Sequence, residues 1–338
     1  LTVFGLSTAS IFAHKTANAA DEAKIVVNGT EYATFEEARD KATPDGDGVI
    51  TYTVFGKNTV SSTDAWIQVV QKGLDNVKAV KFVGNGEGAE LVISNPTSIF
   101  ADQEYDLDVS FEGLTLSHPN GVYVGDLGHT TNYFATALRN TNAKENTVTY
   151  TNCTFPNGVC NNRYGNTVFT SCKFTSAAGK YGLWVYGGSV EVDKSSFSGA
   201  RGVKTYTETK DLEVVETELS FNDVSFSGIT EKAAVVVSKA ANVEMTAVNV
   251  ENCEKGLLQK AISNTTYTIE ANGSNISGKF NVTGTNPTEV AKTEFNISSG
   301  EFTEDSKIDE KYYAENVTIT PNEDGTFGVD LTDYVVVG

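Results

Sequence analysis

Few residues in this chain have types and spacings that could do chemistry. His129 follows Asp126 by three positions, a spacing that could make a proton-relay dyad, yet in a loop such a pair is ordinary surface. Gly84-Asn85-Gly86-Glu87-Gly88 is glycine-rich, but no Lys and no helix opening follow, so it reads as a turn rather than a phosphate cradle. Four cysteines, at 153, 160, 172 and 253, include no Cys-x-x-Cys pair for zinc. The carboxylates form no Asp-x-Asp-x-Asp-Gly loop, and Pro44-Asp45-Gly46-Asp47-Gly48 reads as a turn. No cofactor is expected, with calcium held by clustered carboxylates as the alternative. The residues that remain are aromatic and cationic, namely Tyr123, Trp184, Tyr186 and Tyr206 with Arg163 and Lys204.

These residues take their places from two recurring phrases. The first reads VTYTNCTF at Val148, with apolar or small residues at its first, third, sixth and eighth places. The same spacing recurs from Val109, Thr167, Val190, Leu219 and Val243, and more weakly from Ile269 and Phe295. Alternation at period two is a strand with one buried face. The single three-residue step breaks that period, so the chain must bend there. Gly113, Asn152, Ser171, Lys194, Asp223 and Ala247 sit at or beside the bend. A repeat of this kind buries its apolar side only by stacking on its neighbours.

The second phrase is Gly, apolar, any, apolar, as in Gly121-Val122-Tyr123-Val124 and Gly182-Leu183-Trp184-Val185. Its outward slots carry Tyr123, Cys160, Trp184 and Lys204, and two places on Tyr186 and Tyr206. Stacking would gather these on one face. Exposed aromatics with polar neighbours suit sugar rings or a protein partner. The other reading is that the segment 117–147, with His118, Tyr133 and Arg139, covers them.

Together the phrases resemble a right-handed parallel β-helix of the pectate-lyase-like architecture, over residues 77–302. The handedness is implied by that resemblance and by the crossover rule. The fold expected is all-β, with a signal remnant at 1–20, an N-terminal strand–helix cap at 21–60, the β-helix at 61–302 and a closing cap or tail at 303–338. In the cap, Asn28-Gly29 reads as a hairpin turn. Thr34 begins a helix over 35–42, with Glu37 completing a capping box. A second short helix is expected within 63–76.

The run from Gly29 to Ala38, GTEYATFEEA, resembles the N-terminal cap of adhesin-like β-helix surface proteins of Gram-positive, gut-type bacteria. Ser298-Ser299-Gly300-Glu301-Phe302 followed by Asn322-Glu323-Asp324-Gly325-Thr326-Phe327 resembles their closing phrase, with Ser299 where the family has its first glycine. The resemblance implies an exported, secreted or surface protein and is uninformative about ligand; with the aromatic face, the function expected is binding of a host glycan or glycoprotein without catalysis. Residues 1–20 agree with export: an apolar run leads to Ala17-Asn18-Ala19, a signal-cleavage pattern, and the chain does not begin with Met. No Leu-Pro-x-Thr-Gly sorting signal precedes Gly338, so release, or an anchor beyond that point, is expected.

Two alternatives stay open. Polysaccharide lyases and hydrolases share this architecture, but their acidic columns and motifs are missing; the outward slots of the first phrase include Thr149, Glu191, Ser220, Glu244 and Glu270. A spacer or fibre subunit stacking end to end is the other. Net charge is −19 with a pI near 4.5, which excludes phosphate-neutralising nucleic-acid binding. No membrane insertion is expected. Cys153 and Cys172 share one inward slot in consecutive repeats, read as stacked buried thiols, with a disulfide within reach.

Overall fold

The computed structural model describes residues 23–60, 67–71, 73–93, 99–100, 107–117, 147–160, 166–185, 187–205, 217–237, 241–254, 258–260, 267–272, 274–276, 293–303 and 308–332. It is an all-β structure with long parallel sheets stacked on one another. Within these residues run a 12-stranded and a 15-stranded sheet, and the chain alternates between them.

The pairing follows directly from the first phrase. Its opening half forms strands such as Thr147–Thr151, Asn166–Thr170, Gly188–Asp193 and Thr217–Asn222, each parallel to the next and in register. Val148, Tyr150, Phe169, Val192 and Phe221 all point inward and are buried. Its closing half, including Thr154–Phe155, Ser225–Ser227 and Asn249–Glu251, builds the second sheet.

Between the halves lies a corner, and its geometry repeats. Gly113, Asn152, Ser171, Lys194, Asp223 and Ala247 have φ of 64, 53, 55, 47, 54 and 52°. For a residue with a Cβ this left-handed conformation costs about 1–2 kcal/mol. What holds it is a ladder: the N–H of Asn152 donates to Thr170 O, Ser171 to Asp193 O and Lys194 to Asn222 O, each at 2.9 Å. Just past the corner, the N–H groups of Thr154, Lys173 and Ser196 donate to Leu114, Cys153 and Cys172 carbonyls.

Register also stacks like side chains. Tyr52, Phe82, Phe111, Tyr150 and Phe169 form one column with successive ring centroids 5.0, 4.9, 5.1 and 4.8 Å apart. Phe155, Phe174, Phe197 and Phe226 form a second. Each such pair adds about 0.5–1.5 kcal/mol beyond area burial.

At either end of the described residues the parallel pairing gives way to antiparallel strands. Lys24–Val27 and Thr30–Tyr32 form a hairpin through Asn28 and Gly29, both at positive φ, and pair antiparallel with Val49–Phe55. Thr34 caps the helix Phe35–Lys41 by accepting the Glu37 N–H at 3.2 Å, and Phe35 packs edge-on against Tyr52. Parallel pairing starts at Val49–Phe55 against Ala79–Gly84. At the far end Val317–Pro321 and Thr326–Leu331 make an antiparallel hairpin on Gly300–Thr303, with Phe327 stacked on Phe302.

One expectation fails. The described part of 63–76 holds no helix; Ile67–Gln68 is a strand paired with Ile99–Phe100, and Val69 and Val70 are buried. The β-branched run fits a half-buried strand better than a helix. None of the four cysteines is in a disulfide, and all four are buried. Contact with Cys153 Sγ, and then burial, raises the Cys172 thiol, and burial raises that of Cys253.

Candidate functional site

The second phrase builds a second arm on each pass. Val159–Cys160 pairs with Leu183 and Trp184 in the long strand Lys173–Val185, which pairs with Ser196–Thr205, which pairs with Val235–Val237. Leu183, Val185, Val203 and Val235 face the core, so their neighbours face outward. The outward row is therefore Cys160, Trp184, Lys204 and Val236, as the register pairs them. At Gly202 the glycine is required by contact: a Cβ there would lie 2.1 Å from the Ala234 carbonyl oxygen.

Trp184 and Lys204 are directly cross-strand neighbours, and the Lys204 Nζ sits 4.7 Å from the Trp184 ring centroid. The same ammonium is 5.6 Å from the Tyr181 ring, which meets Trp184 edge-on at 5.6 Å. Trp184 is only 1% exposed, so the expectation of an open indole face is corrected. Its slot does point away from the core, but Tyr181 and Lys204 lie over the ring. Tyr123, Arg163, Tyr186 and Tyr206 lie outside the described residues, as do His118, Asp126, His129, Tyr133, Arg139 and residues 1–20.

Sequence reasoning missed Tyr181, Arg201 and Glu231. Arg201 pairs in register with Tyr181, and its guanidinium lies 5.3 Å from that ring. Its Nε donates to Glu231 at 2.8 Å, and the same carboxylate accepts the Gly179 N–H at 3.0 Å. Glu231 thus ties together three successive passes. The Arg201 hydrogen bond, then the Gly179 N–H, hold its carboxyl below the usual range. A usable signal was present: Tyr181 and Arg201 each stand immediately before the glycine of the second phrase. Glu231, 52 positions from Gly179, had none.

Elsewhere, the outward face of the first sheet carries a shallow open hollow of about 420 Å³. It is lined by Ser189, Glu218, Ser220, Asn242 and Glu244, with Asn242 donating to Glu218 at 2.8 Å. The Glu270 side chain lies outside the described residues. Among the described residues no group of three or more His, Cys, Asp or Glu is placed to hold a metal ion, and no helix is long and apolar enough to cross a membrane. No protein-family model, no curated protein and no solved structure matches this chain.

Proposed function

We propose that the chain winds as a single right-handed parallel β-helix and acts as an exported, adhesin-like binding rod for a host glycan or glycoprotein. Alternation between two parallel sheets through one repeated corner supports this winding, and the crossover rule supports its hand. The binding surface is the outward side of the second arm. Lys204, half-buried over the Trp184 and Tyr181 rings, carries this reading. A cation held on a rigid aromatic platform loses little freedom when it meets a ligand.

A screen of the chain from Asp21 onward against glycans and secreted glycoproteins tests this, with Lys204→Gln as the comparison. Lys204 is the better probe because truncating a buried Trp costs about 3–5 kcal/mol and could unfold the arm. A ligand retained by the wild type and released by Lys204→Gln supports the reading. Retention by neither, or equally by both, moves the site or the function.

One observation favours a second reading, a polysaccharide lyase or glycoside hydrolase. Glu218 and Glu244 line the hollow on the first sheet, and paired carboxylates are what glycoside cleavage uses. Release of oligosaccharides from a polysaccharide, lost in Glu218→Gln or Glu244→Gln, would establish it.

A further inference from the structure

A sheet edge is a row of unpaired N–H and C=O groups, and folded proteins shorten, charge or cover their edges. Among the described residues the two large sheets have four ends, and three of them are blunted in this way. Thr30–Tyr32 is three residues long and carries Glu31, ion-paired with Lys24 at 2.7 Å. The helix Phe35–Lys41 lies against Lys57–Val60. Thr293–Ile297 is met by the turn Glu310–Tyr312, with the Tyr312 and Phe295 ring centroids 4.5 Å apart and the Ala314 N–H on the Ile297 carbonyl at 2.9 Å. The fourth end is Val317–Pro321. Its five residues carry no charge in a chain of net charge −19, and those from Thr318 to Pro321 are exposed.

The hairpin that holds this strand decides which of its backbone groups are unused. The Asn322 N–H donates to Thr326 O and the Thr332 N–H to Asn316 O, so the hydrogen-bonded pairs fall on the even positions. Thr318 and Thr320 therefore bond to Thr326–Leu331, while Val317, Ile319 and Pro321 turn their backbone groups to the open edge. Proline has no N–H, so that edge offers donors at 317 and 319 and carbonyls at 317, 319 and 321. The set is complementary to itself. With Ile319 on a two-fold axis, an antiparallel second copy exchanges both bonds at Ile319, and each Val317 N–H meets the Pro321 carbonyl of the other copy. No donor is left over, and the Val317 carbonyls stay open to water.

The side chains agree with that register. Val317, Ile319 and Pro321 share the face of their register partners Leu331, Val329 and Phe327. It is the core side: Val329 is buried and Phe327 stacks on Phe302. Ile319 and Leu331, 46% and 59% exposed, are the exposed large apolar side chains among the described residues, and both lie on this face. Pairing about Ile319 sets Ile319 against itself and Val317 against Pro321, so the apolar rows of one copy run on into the next.

We infer that Val317–Pro321 is a docking edge for a second copy of this chain, forming a closed antiparallel dimer with Ile319 on its axis. A two-fold seam of this kind uses up the edge and stops at two copies. It spans five residues of each copy, well short of the surface a permanent dimer buries, so association is reversible and follows concentration. Each copy carries a net charge of −19, so salt that screens their repulsion tightens the dimer. The pairing does not depend on what the second arm binds.

Sedimentation velocity of the full chain over a concentration series, at low and high salt, tests this beside Ile319→Lys. The wild type should pass from monomer to dimer, at lower concentration in high salt. Ile319→Lys places like charges on the axis and should raise the dissociation constant roughly 10-fold or more, with circular dichroism unchanged because the side chain is exposed. The register is read separately by mild oxidation with oxidised glutathione, since the native cysteines are buried. Ile319→Cys should give a disulfide-linked dimer, because paired strands bring opposite Cα atoms within disulfide reach. Thr318→Cys, on the other face and opposite Thr320 of the second copy, should not. Monomer at every concentration, species that grow past the dimer, a dimer untouched by Ile319→Lys, or equal or greater cross-linking through Thr318→Cys would each contradict the pairing.

Discussion

The backbone N–H of Cys172 donates to Ser195 Oγ at 2.9 Å, and that hydroxyl donates to the Asp193 carbonyl at 2.7 Å. The column around it does the same with sulfur. Cys153 Sγ reaches Thr151 O, Cys172 Sγ reaches Thr170 O, and Cys253 Sγ reaches Glu251 O, each at 3.5 Å. Each donor follows a left-handed corner residue and satisfies the carbonyl two positions back. Asn252-Cys253 therefore repeats the local device of Asn152-Cys153 at a different corner.

Ser195→Ala would leave the buried Cys172 N–H without its partner. The expected loss is about 1–3 kcal/mol, the usual penalty for such a group. Ser195→Cys, whose sulfur offers the Cys172 N–H a weak acceptor and whose thiol can still donate to the Asp193 carbonyl, should lose less. Denaturant titration of the three proteins checks the order.

The corner residues give opposite predictions for opposite changes. Ala247, at φ 52°, is in a conformation glycine adopts freely, so Ala247→Gly should stabilise by about 1 kcal/mol. Gly113→Ala, at φ 64° with its nearest neighbour for a new Cβ at 3.8 Å, should lose a similar amount through backbone strain alone. Gly202→Ala is different in kind. Its clash with the Ala234 carbonyl is steric, and the loss should be about 3 kcal/mol or more. Melting temperatures of the three variants separate these cases.

Four buried thiols make a chemical prediction. In the native protein a thiol reagent should label none of them rapidly, because all four are closed to access, while contact with Cys153 and burial disfavour the Cys172 thiolate and burial disfavours that of Cys253. In denaturant without reductant all four should react. Two reactive thiols instead of four would mean a disulfide, with Cys153 and Cys172 the first pair to examine.

Glu231 sets a pH dependence of definite sign. Its folded carboxyl titrates below the ordinary 4.5, so it contributes stability above that value, and the contribution is lost as pH falls through the lower folded one. Glu231→Gln should therefore be less stable than wild type at neutral pH, and the gap should close on acidification. A gap that is constant with pH would contradict the ion pair.

Much of this was legible in residue types. Val148, Tyr150, Cys153 and Phe155 all fell inward as the period-two pattern with one three-residue step required. The corner was readable at Asn152 from side-chain preference. At Lys194 and Ala247 it was readable only from alignment with the other repeats, since the ladder of hydrogen bonds imposes it there against preference. The site was less legible. The outward direction of Trp184 followed from alternation, but the closure of that row, where Cys160 and Val236 are buried as well, did not, and Glu231 reaches Gly179 across two passes. The strand at Ile67–Gln68 was hidden because a short apolar run fits either period.

The most direct test of a binding rod against an enzyme compares Lys204→Gln with Glu218→Gln and Glu244→Gln on one retained polysaccharide. Retention and oligosaccharide release are measured in the same samples. The account predicts retention without release, lost in Lys204→Gln and kept in both glutamate variants. Release by the wild type, abolished by either glutamate change and untouched by Lys204→Gln, would contradict it.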